Sequence, residues 1–194
     1  MKKLRVIMVS GLTCLLMASC SVTNNKLATY DLTKENITIT DSKSVIGTLA
    51  VKNEKGAWVD VLPKALSYQI SLEQDGSKKD YINDKDVLTA TIQPSKELKQ
   101  ASIDVLGSDI FSSENNRYGR TVSIRGFDDT KNGTIILNYY VGSETVTKEM
   151  PQAPPDEKLK ILRDVAKHST LEIRRKEEVI GLYNLETGKK IKMK

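Results

Sequence analysis

His168 is the only histidine in 194 residues. Serine and cysteine hydrolases of the common kinds take a histidine as general base, so each would depend on that one imidazole. No G-x-S-x-G elbow accompanies it. Zinc sites rich in histidine need more than one ring, and a second does not exist. A serine–lysine pair has abundant material, yet Ser95-Lys96 lacks a lysine three places after the serine. Paired carboxylates for glycoside hydrolysis are defined by a separation that a sequence does not specify. His168 therefore reads as a surface or helix-capping residue, and the chain as no enzyme.

Oxygen-rich loops come next. Asp128-Asp129-Thr130-Lys131-Asn132-Gly133 has carboxylates and amides near the spacing of a calcium loop, with glycine sixth. The twelfth position is Tyr139, where a bidentate glutamate would be needed, so a hairpin turn is the better reading. Asp75 to Asp86 is acidic too, but Lys78, Lys79 and Lys85 lie among its carboxylates and mark a solvated loop. No metal or cofactor is expected. Binding residues are sought in Asn115-Asn116-Arg117-Tyr118-Gly119-Arg120. Arginine and tyrosine anchor many interfaces, which makes Arg117, Tyr118 and Arg120 the candidates. The alternative is a solvated loop in which Arg120 starts a strand. Lys189, Lys190, Lys192 and Lys194 form a basic cluster. It reads as a frayed soluble terminus, or as a contact for anionic phospholipid or wall polymer.

The first 19 residues have the layout of an export signal. Lys2, Lys3 and Arg5 precede an apolar run, Val6 to Met17. That run is too short to span a bilayer core, which takes about 20 residues. Leu16-Met17-Ala18-Ser19-Cys20 ends it and resembles the lipobox of bacterial lipoprotein precursors. The resemblance implies diacylglyceryl transfer to the Cys20 sulfur, cleavage just before it and acylation of the new amine. The mature chain would then hang from a membrane, because two or three acyl chains hold far better than one. In a bacterium with two membranes, Ser21 after the cysteine resembles the pattern sent to the outer membrane.

Cleavage before Cys20 would leave 175 of the 194 residues, enough for one domain with a real core. Loss of Lys2, Lys3 and Arg5 lowers the formal charge from +5 to about +2. A balance so close to neutral argues against nucleic acid as a partner. Cys14 leaves with the signal and Cys20 is consumed by lipid, so the domain has no disulfide and no thiol chemistry.

What would position these residues is a set of short strands. Residues 20–35 are polar and read as a lipidated tether, with Tyr30 and Leu32 its first docked side chains. A β-rich domain follows over 36–150. Period-two alternation predicts strands at Ile37–Ile39, Val45–Lys52, Ala57–Leu62, Ser67–Glu73, Val87–Gln93, Ala101–Leu106, Arg120–Arg125, Thr134–Val141 and Glu144–Glu149. Trp58 is placed in the core beside Val59 and Val61, and Asn132-Gly133 is read as a hairpin dipeptide. Pro151 to Pro155 reads as a stiff connector. Asp156 to Lys167 is the best helix, with Leu159, Leu162, Val165 and Ala166 on one face. Strands at Thr170–Arg174, Val179–Leu185 and Lys190–Met193 complete residues 156–194, packed on the same domain. About eight to ten short strands predict a mainly β fold, a sandwich or an open barrel of antiparallel hairpins. The function expected is non-enzymatic binding or scaffolding of an envelope protein or glycan at the membrane. A surface-exposed lipoprotein that binds a host molecule or glycan is the alternative, and an envelope hydrolase using carboxylates or a serine–lysine pair ranks third.

Overall fold

Alternation is strongest around Leu66, Tyr68, Ile70 and Leu72, and these side chains are fully buried in the longest of the described strands. The computed structural model describes residues 29–75, 88–112, 119–127 and 132–193. In chain order the elements are β1 (Thr29–Thr40), α1 (Lys43–Ile46), β2 (Leu49–Lys52), β3 (Trp58–Val61), β4 (Pro63–Asp75) and β5 (Leu88–Pro94). They continue with α2 (Lys96–Leu106), β6 (Arg120–Arg125), β7 (Asn132–Ser143), α3 (Asp156–Val165), β8 (Ser169–Arg175), β9 (Glu178–Asn184) and β10 (Lys189–Lys190). The strands form antiparallel sheets in the orders β1-β4-β7-β6, β10-β9-β8-β5 and β2-β3. The fold is mainly β and sandwich-like, and the described strands close into no barrel.

One core joins both large sheets and two helices. Ile135 and Leu137 of β7, Leu171 and Ile173 of β8, Leu98 of α2, and Leu159 and Leu162 of α3 all belong to it. Each such side chain contributes about 1.5–3 kcal/mol by leaving water. Three buried tyrosines add directional ties. The Tyr68 hydroxyl donates to the Ala166 carbonyl at 3.2 Å, and the Tyr183 hydroxyl to the Tyr30 carbonyl at 2.6 Å. The Tyr139 hydroxyl accepts from the Ile92 amide at 3.3 Å, joining the two four-stranded sheets. Burying three phenols is tolerable because each hydroxyl has found a partner.

Several expectations are corrected. Ala101–Leu106 is no strand but the end of α2. Over those six residues Ala101, Ile103 and Val105 alternate, yet the buried positions are Leu98, Ser102 and Leu106, four apart. Ser95 caps the helix by accepting from the Leu98 amide at 3.1 Å. Gly107 ends it at φ 72°, in the left-handed region that glycine enters without strain. Val45–Lys52 divides into the end of α1 and, from Leu49, β2. Glu144–Glu149 is a looped segment, closed by the Thr147 amide donating to the Met150 carbonyl at 2.9 Å. Asn132 and Gly133 lie within β7, opposite Glu73 and Leu72. A Cβ on Gly133 would lie 2.1 Å from the Phe127 ring, so packing explains that glycine better than a turn does.

The segment 20–35 is not tether throughout, since β1 begins at Thr29 and buries Tyr30 to 3% exposure. Its polarity has a simple cause: β1 is an edge strand whose outward side chains meet water. Pro151–Pro155 lies along the end of β7. Ser143 donates to the Pro151 carbonyl at 3.0 Å, and Ala153 to the Ser143 carbonyl at 2.9 Å.

Candidate binding surface

Of the three sequence candidates, Arg117 and Tyr118 lie outside the described residues, as do residues 114–118 of their loop. Cys20, the acidic stretch 76–87, Asp128 to Lys131 and Lys194 lie outside them as well. Arg120 opens β6 opposite Tyr139. Its guanidinium interacts with the Tyr139 phenol, opposing the upward pull that burial exerts on that group's pKa. Arg120 thus begins an edge strand and has a partner within the fold.

The more prominent surface is one the sequence reading missed. β1 and β4 pair along their whole length, from Thr29 opposite Asp75 to Thr40 opposite Ala65. At the second end the chain leaves β1, forms α1 and the β2–β3 hairpin, and returns into β4 at Pro63. The hairpin turn is built by Asn53, whose side-chain oxygen accepts from the Lys55 and Ala57 amides at 2.9 and 3.0 Å. Val51 and Val61 face inward and are buried, while Trp58 is 65% exposed. The Lys52 ammonium stands 5.3 Å from the Trp58 ring centre, within reach of a cation–π attraction.

The loop after β7 sits beside this hairpin. Glu149 accepts from the Lys52 amide at 3.2 Å, and Val146 in the same loop is 61% exposed. Leu62, between β3 and β4, is also exposed. The flanking valines suggest a core position for Trp58, and the structure corrects it. The signal that contradicts this was available: Val59 and Val61 share one face of the strand, so Trp58 shares the other with Asp60.

A second feature follows the outer edge of β1, where α3 packs. A cavity of about 460 Å³ lies between Ile39, Thr40 and Asp41 on one side and Asp156, Lys160 and Arg163 on the other. Lys64 bonds Asp156 there at 2.9 Å. Further along, a pocket of about 420 Å³ has Glu35 on one wall and Arg163, Asp164 and Lys167 on the other. One Glu35 oxygen is buried without a hydrogen bond. Burial raises the Glu35 carboxyl above its usual pKa, against the pull of Lys167. Charges of both signs alternate along this groove and give it no single preference for anion or cation.

His168 lies between Glu97, whose oxygen is 2.8 Å from Nδ1, and Glu186, 3.5 Å from Nε2. With both ring nitrogens facing carboxylates, the residue ties the start of α2 to the β9–β10 turn. Among the described residues no three His, Cys, Asp or Glu side chains are grouped to hold a metal ion. None of the described helices is long and apolar enough to cross a membrane. Comparison of the chain with protein-family models, curated proteins and solved structures gives no match.

Proposed function

We propose that this protein is a lipid-anchored, non-enzymatic binding module of a bacterial envelope, held by Cys20 and recognising a partner through the Trp58 hairpin. Export and lipidation rest on the signal-like residues 1–19 and on the lipobox. In a two-membrane cell, Ser21 favours the outer membrane as its location.

The observation that carries the binding role is an exposed tryptophan at the end of the β1–β4 pair remote from Thr29. Cys20 and Thr29 are nine residue steps apart, a reach of about 30 Å at most. The twelve steps from Pro63 to Asp75 add roughly 40 Å along the sheet at about 3.4 Å each. An anchor at one end therefore favours presentation of the other end away from the bilayer. Exposed tryptophan is costly to leave in water and is the residue most enriched at interface hot spots. Leu62 follows Trp58 by four residues and is exposed, Val146 is exposed in the loop that Glu149 fastens to β2, and Lys52 stands over the Trp58 ring.

Two measurements test the two halves. Metabolic palmitate labelling should mark the wild-type chain and not Cys20→Ala; equal labelling of both would refute the anchor. A photo-crosslinking amino acid at position 60, on the Trp58 face of β3, should trap one discrete partner in intact envelopes. A Trp58→Ala chain should lose that partner from detergent pull-downs while keeping its stability within about 0.5 kcal/mol. Recovery unchanged by Trp58→Ala would refute the hairpin as the recognition surface.

A further inference from the structure

The lysines of residues 189–192 are folded onto the sheet, close to where the chain from Cys20 joins it. Lys189 and Lys190 form β10 and pair with Asn184 and Tyr183. The Ile191 amide donates to the Leu182 carbonyl at 2.8 Å, continuing the attachment one residue further. The Lys190 ammonium lies 5.9 Å from the centre of the Tyr183 ring. At the edge of that ring, its hydroxyl donates to the Tyr30 carbonyl at 2.6 Å. Tyr30 is the second residue of β1. One aromatic ring thus separates a lysine from the strand start that follows the tether. A Cβ built on Gly188, in the turn before β10, would come within 4.0 Å of the Leu32 side chain of β1.

From this juxtaposition we infer that Lys189, Lys190 and Lys192, with Ile191 and Met193, form a contact for the anionic lipid headgroups of the membrane that holds the anchor. The inference rests on the lipid-anchor reading of Cys20. Ile191 and Met193 are 38% and 47% exposed and alternate with the lysines. Such a pattern suits the bilayer interface, where apolar side chains enter the acyl boundary and lysines reach headgroup phosphates. Asp31, beside the Tyr183 hydroxyl, and its cross-strand partner Glu73 oppose the three lysines. Three lysines against these two carboxylates leave a formal excess of one positive charge. Each lysine near an anionic surface multiplies residence there by about fivefold. A lipid within about 30 Å makes that contact intramolecular, so a weak site is sufficient. The contact would fix the orientation of the domain and point the Trp58 end outward.

The test uses the mature chain carrying Met193→Trp and Trp58→Phe, attached to vesicles in two ways. In one it carries its natural lipid. In the other, unlipidated protein is coupled through the Cys20 thiol to a maleimide lipid. Brominated acyl chains should quench the new tryptophan in phosphatidylglycerol-containing vesicles and much less in phosphatidylcholine alone. High salt, or the triple change Lys189→Glu, Lys190→Glu and Lys192→Glu, should abolish the difference. Equal quenching in both vesicle types, with no effect of salt, would overturn the inference. Failure of cell-made protein to float with vesicles, alongside charge-dependent quenching of the coupled form, would refute the natural anchor and leave the lysine contact standing.

Discussion

The Tyr183 hydroxyl donates to the Tyr30 carbonyl at 2.6 Å across 153 residues of chain, tying the two large sheets together at β9 and β1. The same ring carries Lys190 near one face. It is therefore a joint between the edge strand β1 and the last strand of the second sheet. Tyr183→Phe retains the ring and deletes the bond. Loss of about 1–2 kcal/mol is expected, read as a lower urea midpoint with an unchanged slope. A variant as stable as wild type would mean that the bond offers no net gain over hydration.

Alkaline pH should loosen the core before it affects the surface. Burial raises the phenol pKa of Tyr68, Tyr139 and Tyr183 above the ordinary value near 10. A group whose folded pKa is raised contributes stability that is complete below the unfolded pKa and declines as pH rises through the folded one. The denaturation midpoint should thus hold up to about pH 10 and fall above it. Phenolate absorbance should show these three rings ionising only as the protein unfolds. Full ionisation of all seven tyrosines in a still-folded chain would contradict this.

Gly142 cannot be replaced without movement of the backbone. It sits at φ 130°, and a Cβ there would lie 2.6 Å from the backbone nitrogen and Cα of Ala153. Gly142→Ala should cost about 1–3 kcal/mol and weaken the short parallel contact between Ser143 and Gln152. Thermal melting would show the loss. Faster amide exchange at Ser143 and Ala153 would locate it.

Glu35 works against the fold when ionised. Its raised carboxyl pKa means that its favourable contribution is present in acid and is lost as pH rises through the folded value. Glu35→Gln should raise the melting temperature at neutral pH, and the gain should vanish in acid where both forms are neutral. A decrease at neutral pH would show that attraction to Lys167 outweighs desolvation.

Local pattern determined a good deal here. The alternation of Leu66, Tyr68, Ile70 and Leu72 specifies a half-buried strand. The spacing of Leu159, Leu162 and Ala166 after Pro155 specifies an amphipathic helix. Both features concern neighbours a few residues apart, and there side-chain periodicity reports directly which face meets the core. The same logic failed over Ala101–Leu106, where six residues fit either period and only the caps at Ser95 and Gly107 distinguish them. The lipobox-like residues Leu16 to Cys20 are a feature of linear sequence alone, and the lipid anchor proposed from them rests on that reading.

Tertiary structure decided the rest. Whether Trp58 is core or surface depends on which face of a two-stranded hairpin finds cover, and here the covered face is that of Val51 and Val61. The pairing of Tyr183 with Tyr30, and the placing of Lys190 beside the start of β1, come from strands more than 150 residues apart. No local propensity encodes such a meeting. It follows from the packing of two sheets about a shared core, where each register is chosen by the apolar area that all the others leave to be buried.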